Sequence, residues 1–386
     1  MAIVRRITNG DLQEAVRLSD ETFRDGEQPS MGDAFPLIFS EAEDHHSYGA
    51  FQDDGKLLAF MGLVPWVLRV GDARLQAFSL GSVCTAPEAR GQGIASEVLR
   101  EVYRHIRQAG ASLLLVSGDR SLYTRTGCMP FGRVRRYGID RTAAEAVAAA
   151  AGDDGTMRLR EMAPADLFAL HQVAGSRDVA YDFSVRELSA LIKAESFASC
   201  VKMNHRVWVA ESDGAVAAFA VVGVPSDPQK RGRVIEQAGS PAIVARLAAE
   251  AVIRDRMAGL DFHVPWQERE LDERLSGFGL SCADGPSSGT LKIVDGEALL
   301  GQLRPWLDKR QAGSARGLRL TQSDDGSWLL GREQDAAVAL ADDELVRLVF
   351  DYAGSEEQLA PLPAGTKPYR ELFPVPLPYP VGLGYI

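Results

Sequence analysis

Cysteine is scarce: the 386 residues hold four, Cys84, Cys128, Cys200 and Cys282, with no Cys-x-x-Cys pair and no histidine spacing that completes a zinc set. A metal centre and structural disulfides are therefore both unexpected. No run of about 18 apolar residues occurs, so no membrane span is expected. The opening Met-Ala-Ile-Val-Arg-Arg leads into no apolar signal region, which makes cytoplasmic residence the expectation. Positive charge is in deficit, with 42 Lys and Arg against 53 Asp and Glu and a formal net charge of −11. That balance argues against a nucleic-acid surface. It suits a cationic substrate, and it equally suits acidity that serves only solubility.

The chain is too long for one ordinary core, and its 46% hydrophobic and 25% charged residues are those of a globular protein of two or three domains. Its organisation repeats. Ile3 to Ile7 reads as a strand, followed by a capping turn at Thr8–Asp11 and a helix from Leu12. Met157 to Met162 followed by Ala163–Asp166 and Leu167 has the same order. Asp54-Gly55 and Asp213-Gly214 each sit between apolar runs, the strongest short hairpin signal. Two copies of one fold follow from these offsets. The alanine-rich stretch Thr142 to Gly155, ending Gly-Asp-Asp-Gly, marks a helix or linker between them.

From about Gly289 the character changes. A helix is expected through Ala298 to Leu307, strands near Leu318 and Trp328 flank an Asp-Asp-Gly turn, and a helix is expected over Asp342 to Phe350. The end is proline-rich from Pro361 to Pro380 and closes on an apolar tail, Leu383 to Ile386. Free ends are normally polar, so Leu383, Tyr385 and Ile386 are expected to be buried.

The most informative stretch is Val83 to Ala95, Val-Cys-Thr-Ala-Pro-Glu-Ala-Arg-Gly-Gln-Gly-Ile-Ala. It runs from a strand end through a glycine loop into a helix whose apolar face is Ile94, Val98, Leu99, Val102 and Ile106. Unpaired backbone N–H groups and the helix dipole make such a start a cradle for a pyrophosphate. Gly91 and Gly93 let a ligand approach the backbone, and Arg90 adds fixed charge. The dinucleotide pattern is excluded, because its third glycine is missing.

Arg90 to Ala95 resembles the acetyl-CoA loop, Arg/Gln-x-x-Gly-x-Gly/Ala, of the Gcn5-related N-acetyltransferases. The short strand Leu113 to Val116, then Gly118 to Tyr123, then Thr126 to Phe131 extend the likeness. In that superfamily a tyrosine at the place of Tyr123 protonates the departing CoA thiolate. Here Gly-Cys-Met-Pro-Phe replaces a simple Gly-Phe turn, and a partly buried core tyrosine is the alternative reading of Tyr123. The resemblance implies that Val83, Cys84, Thr85, Arg90, Gly91, Gln92, Gly93, Ile94, Ala95 and Gly118 contact the cofactor. The cosubstrate it implies is acetyl-CoA, without a metal.

Two such copies followed by a third region is the architecture of the Eis-like tridomain acetyltransferases. The resemblance implies an α/β (α+β) fold with central mixed sheets. Residues 1–145 would be the acetyl-CoA-binding domain and 156–288 a degenerate second copy, which has Glu236 to Ala242 in place of the loop. Residues 289–386 would be a sterol-carrier-protein-like domain whose role is structural. In that family the C-terminal carboxylate helps deprotonate the amine, a role implied for Ile386; a tail packed only against its own domain is the alternative. Asp25, Trp66 and Ser82 fall on the substrate side, with Trp66 equally a core residue. His45 and His46 are expected to be solvated surface histidines.

The function implied is transfer of an acetyl group to a primary amine of a small cationic molecule, aminoglycoside- or polyamine-like. Lysine side chains of proteins are a second possibility, and a CoA-binding scaffold whose catalysis has lapsed is a third. The family commonly assembles into hexamers, so a homo-oligomer is implied; neither nucleic acid nor membrane is expected as a partner.

Overall fold

The computed structural model describes residues 2–42, 44–150, 157–332, 336–351 and 362–386. The chain divides into two compact units, one of Met1–Gly132, Ser287–Pro380 and Ile386, the other of Arg133–Pro286 with Val381–Tyr385. Both are layered α/β structures built on mixed sheets, the fold class that the sequence implies.

The first unit opens with β1 (Ile3–Arg6), α1 (Leu12–Phe23) and two single turns, α2 (Met31–Ala34) and α3 (Pro36–Phe39). Strands β2 (Tyr48–Phe51), β3 (Leu57–Val70) and β4 (Ala73–Thr85) then form an antiparallel run. Helix α4 (Ile94–Gln108) crosses over to β5 (Leu113–Val116), which lies parallel to β4, and a single turn α5 (Ser121–Thr124) follows. The buried residues of α4 are Ile94, Val98, Leu99, Val102, Tyr103 and Ile106, the stripe expected from spacing. Around Asp54-Gly55, Gly55 takes φ +88 and the hairpin closes as expected.

The second unit contains β6 (Arg133–Asp140), α6 (Arg141–Ala150), β7 (Met157–Glu161), α7 (Leu167–Gly175), β8 (Val179–Tyr181), α8 (Val185–Ala194) and α9 (Ser196–Cys200). After these come β9 (Met203–Ser212), β10 (Ala215–Pro225), β11 (Arg231–Gly239), α10 (Pro241–Arg254), β12 (Gly259–Pro265), α11 (Arg269–Gly277) and β13 (Ser281–Pro286). Its sheet runs β13-β6-β12-β11-β10-β9-β7, with β11 and β12 parallel across α10. Asp213 and Gly214 both have positive φ, the geometry of a two-residue hairpin turn. The alanine-rich stretch is helical to Ala150; the Gly152 to Gly155 boundary lies outside the described residues, as does Pro361.

One ion pair shows how closely the two starts correspond. Arg5 grips Asp11 through two bonds of 2.8 Å, and Asp11 also accepts from the Thr8 backbone N–H. Arg160 grips Asp166 at 2.6 and 2.8 Å, and Asp166 accepts from the Ala163 N–H. A bidentate arginine at the end of each first strand thus fixes the acidic residue that starts the next helix.

The last part of the chain returns to the first unit. β14 (Thr290–Ile293) pairs antiparallel with β5 and becomes the next strand of that sheet. Helix α12 (Gly296–Arg310), the hairpin-linked strands β15 (Leu318–Gln322), β16 (Trp328–Arg332) and β17 (Val338–Leu340), and α13 (Asp342–Phe350) complete it. Among the described residues no helix is long and apolar enough to cross a membrane.

Candidate active site

Strands β4 and β5 are paired only from Ala77 to Leu80 against Leu113 to Val116, and at Gly81 they part. On its other edge β4 loses register with β3 at the same level: Gly81 faces Gly62 and Cys84 faces Phe60, leaving Ser82 and Val83 opposite the single residue Met61. This is a bulge, with Ser82 held at φ +49, a strained conformation for a residue with a side chain. The Ser82 hydroxyl is buried and has no hydrogen-bond partner among the described residues. A splayed, bulged strand end of this kind frees backbone polar groups for a ligand.

Along β4 from the bulge, Val83 and Thr85 are half-buried and Cys84 is buried, its thiol pushed up to about 11 by burial. The glycine loop follows. Gly91 and Gly93 have φ +76 and +80, and a side chain at either would project into open space. Gly93 is the residue that caps α4, so the N–H groups of Ile94 and Ala95 begin directly after an unobstructed backbone, while those of Ser96 and Glu97 turn back to the Gly93 carbonyl. The loop is braced from within. Arg90 Nε donates to the Thr85 carbonyl at 3.1 Å and Gln92 Nε2 to the Glu88 carbonyl at 2.8 Å. Arg90 is exposed, with its two outer nitrogens unpartnered among the described residues.

Tyr123 lies on α5 beyond β5, 6% exposed. Burial pushes its phenol up to about 12, with the Cys128 and Cys84 thiols adding to the shift and Arg120 opposing it. The ring packs near Gly118, whose carbonyl accepts from the Thr290 hydroxyl at 2.9 Å. Tyr123 is therefore a neutral phenol at neutral pH, with a proton to give.

Ile386 belongs to the same unit. Ile386 is buried, and a Cβ placed on Gly81 would overlap its carboxyl carbon and oxygen. Only a glycine at 81 leaves room for the terminal carboxylate beside the bulge. Sequence reasoning passed over Gly81, because a glycine inside a strand signals close backbone approach without saying what approaches.

Of the substrate-side residues, Asp25 is exposed on the loop after α1, where its Oδ1 accepts from the Glu27 N–H at 3.1 Å. Trp66 is buried in β3 opposite Ala77. His46 corrects the expectation of a solvated histidine: it is half-buried, its Nδ1 3.0 Å from Nε2 of His105, whose Nδ1 lies 3.4 Å from the Tyr48 hydroxyl. Both rings edge against Phe78, and burial lowers both pKa values. The partner sits on α4, 59 residues away, so nothing local in the sequence announced it. Among the described residues no group of three or more His, Cys, Asp or Glu could hold a metal.

Residues 3–131 match the family model of the GNAT acetyltransferase domain. They are a GNAT acetyltransferase domain. The chain that carries it is an acyltransferase, and the cosubstrate of such a domain is an acyl-CoA thioester. Three solved structures are similar over most of their length. A GCN5-related N-acetyltransferase from Kribbella flavida is 14% identical, with 98% of this chain and 100% of that one covered at a TM-score of 0.62. A probable N-acyltransferase from Enterococcus faecalis V583 is 13% identical, covering 88% of this chain and 85% of that one at 0.62. Eis1 from Mycobacterium abscessus is 15% identical, covering 88% and 84% at 0.57. Such likeness carries the fold. No curated protein sequence matches this one.

Proposed function

We propose that the chain transfers an acetyl group from acetyl-CoA to a primary amine of a small cationic molecule, within one site of its first unit. What supports this reading is that one unit holds an open glycine loop, a splayed strand, a buried neutral tyrosine and Ile386 packed against Gly81. The pyrophosphate would lie on the N–H groups at the start of α4, with Gly91 and Gly93 giving clearance and Arg90 adding charge. The pantetheine arm would pair with β4 at Val83 to Thr85, beside Gly118.

A primary amine has a reference pKa near about 10.4 and must lose a proton before attack. The Ile386 carboxylate accepts it, directly or through water. The amine nitrogen then bonds to the thioester carbonyl carbon, and backbone N–H groups at the Ser82–Val83 bulge stabilise the oxyanion, an effect worth roughly 3 kcal/mol per donor in other enzymes. As the carbon–sulfur bond breaks, Tyr123 gives its proton to the thiolate. Ser82, Asp25 and Trp66 are proposed for the acceptor side; the net charge of −11 favours a cationic acceptor. By resemblance, residues 289–386 serve a structural role and the chain assembles into an oligomer.

The test is acetyl-CoA-dependent thiol release against aminoglycosides, polyamines, amino acids and lysine peptides. Release with the small amines is the expected result. Release with peptides alone would replace the acceptor class, and silence across the panel despite tight acetyl-CoA binding would favour a lapsed enzyme.

A further inference from the structure

The loop that carries Tyr123 is gripped on both sides by one strand, β14. Before the tyrosine, the Thr290 hydroxyl donates to the Gly118 carbonyl at 2.9 Å. After it, Leu291 and Met129 exchange two backbone bonds of 2.8 Å. Next along β14, Lys292 has its side chain 10% exposed, and its ammonium lies 3.6 Å from the Asp342 carboxylate at the start of α13. Trp328 Nε1 donates to the other oxygen of Asp342 at 2.8 Å.

This pair is wedged against the turn that follows Tyr123. Gly127 has φ +84, and a Cβ there would overlap both the Asp342 carboxylate and the Lys292 ammonium. The Lys292 ammonium also lies 5.7 Å from the centre of the Tyr103 ring. The hydroxyl of that ring meets Thr126 Oγ1 at 2.7 Å, and Thr126 Oγ1 lies 2.9 Å from the Tyr123 carbonyl. That same carbonyl accepts from the Thr126 and Cys128 N–H groups. A continuous chain of contacts thus runs from the buried cation to the backbone of Tyr123. A buried ion pair adds little net stability over apolar packing of the same volume, but it does fix geometry.

We infer that β14, through Lys292 and Asp342 against Gly127 and through Thr290 on Gly118, is a positioning clamp for Tyr123. The last quarter of the chain thereby serves proton delivery to the leaving thiolate. This rests on the reading of Tyr123 as the proton donor. Lys292 and Asp342 do not touch substrate; they act through the loop.

The test pairs Lys292→Met and, as a milder variant that loses one hydroxyl, Thr126→Val with Tyr123→Phe in the full-length chain. Each single variant is expected to lower kcat about tenfold with KM for acetyl-CoA within twofold, and to change kcat less than twofold once Tyr123 is already Phe. Equal losses in both backgrounds, or a rise in KM with kcat intact, would overturn the clamp. A second readout is independent of catalysis. With 3-fluorotyrosine placed at position 123, the fluorine resonance is expected to be single and sharp in the parent and shifted or broadened in both variants; an unchanged resonance overturns the proposal. If Tyr123→Phe keeps full kcat, the proton-donor reading falls, and the fluorine resonance alone decides whether the clamp exists.

Discussion

The two parallel crossovers of this chain, β4-α4-β5 and β11-α10-β12, share a topology and differ at the helix start. In the first, Gly91 and Gly93 turn left-handed with nothing within reach of a side chain, directly before the N–H groups of Ile94 and Ala95. In the second, α10 begins with Ser240-Pro241, so one N–H of the first turn is missing. Gly239, at φ +119, is pressed against Ala217 and Ala218. The cleft at this second start is lined by Ser240, Pro241, Ala242, Glu270, Glu273 and Arg274, so two carboxylates face one guanidinium where an anion would have to sit. The arginines differ in the same sense: Arg90 keeps its outer nitrogens unpartnered among the described residues, while Arg177 is spent on Glu236 and Glu268 at 2.5 and 2.9 Å. Topology alone does not make a phosphate cradle. On the proposed function, open glycines, the first N–H groups of the helix and a cation with its outer nitrogens unpartnered among the described residues do.

The sharpest way to break this contrast is at the glycine. Gly93→Val places a branched side chain at positive φ, across the space the pyrophosphate is proposed to take. Loss of charge-assisted N–H contacts there should weaken acetyl-CoA binding about thirtyfold or more. Pro241→Ala at the second start should leave binding unchanged, both read by calorimetric titration. Next in size are the groups of the proposed chemistry. Tyr123→Phe and deletion of Ile386 are each expected to lower kcat about tenfold, one step of about 1.4 kcal/mol, with acetyl-CoA affinity kept. Full activity after either change would remove that group from the mechanism.

Arg177→Met sharpens the comparison from the other side. It strands Glu236 and Glu268 without their cation, and should cost about 3–5 kcal/mol of unfolding free energy in the second unit while acetyl-CoA affinity stays constant. A fall in acetyl-CoA affinity would mean that the second unit takes part in cofactor binding. The smallest effect is that of pH. Burial lowers the pKa of His46 and His105 in the first unit and of His205 in the second, and takes His263 down to about 3. Below their ordinary value of about 6.5 the unfolded chain binds more protons than the folded one, so stability rises with pH through this window and is lost as pH falls. Melting temperature should drop between pH 7 and pH 5. His105→Gln should flatten part of that slope.

Much of this was legible in the sequence, for a physical reason: the signals were local. The α4 stripe, both Asp-Gly hairpins and the glycine loop each depend on spacings of a few residues, and each appears where expected. The parts that were not legible are pairings between distant segments. Nothing near Thr290 says that it will join β5, and nothing near Asp342 says that it will lie under Gly127. The bulge at Ser82 was equally hidden, since serine carries no preference for positive φ and only the register between β3 and β4 imposes it. Gly81 had to wait for the position of Ile386.

Acetyl-CoA titration calorimetry on the full chain tests the central claim most directly, because it counts sites as well as measuring affinity. One site per chain is expected, lost in Gly93→Val and intact in Pro241→Ala. Two sites per chain, or a single site that survives Gly93→Val, would contradict it.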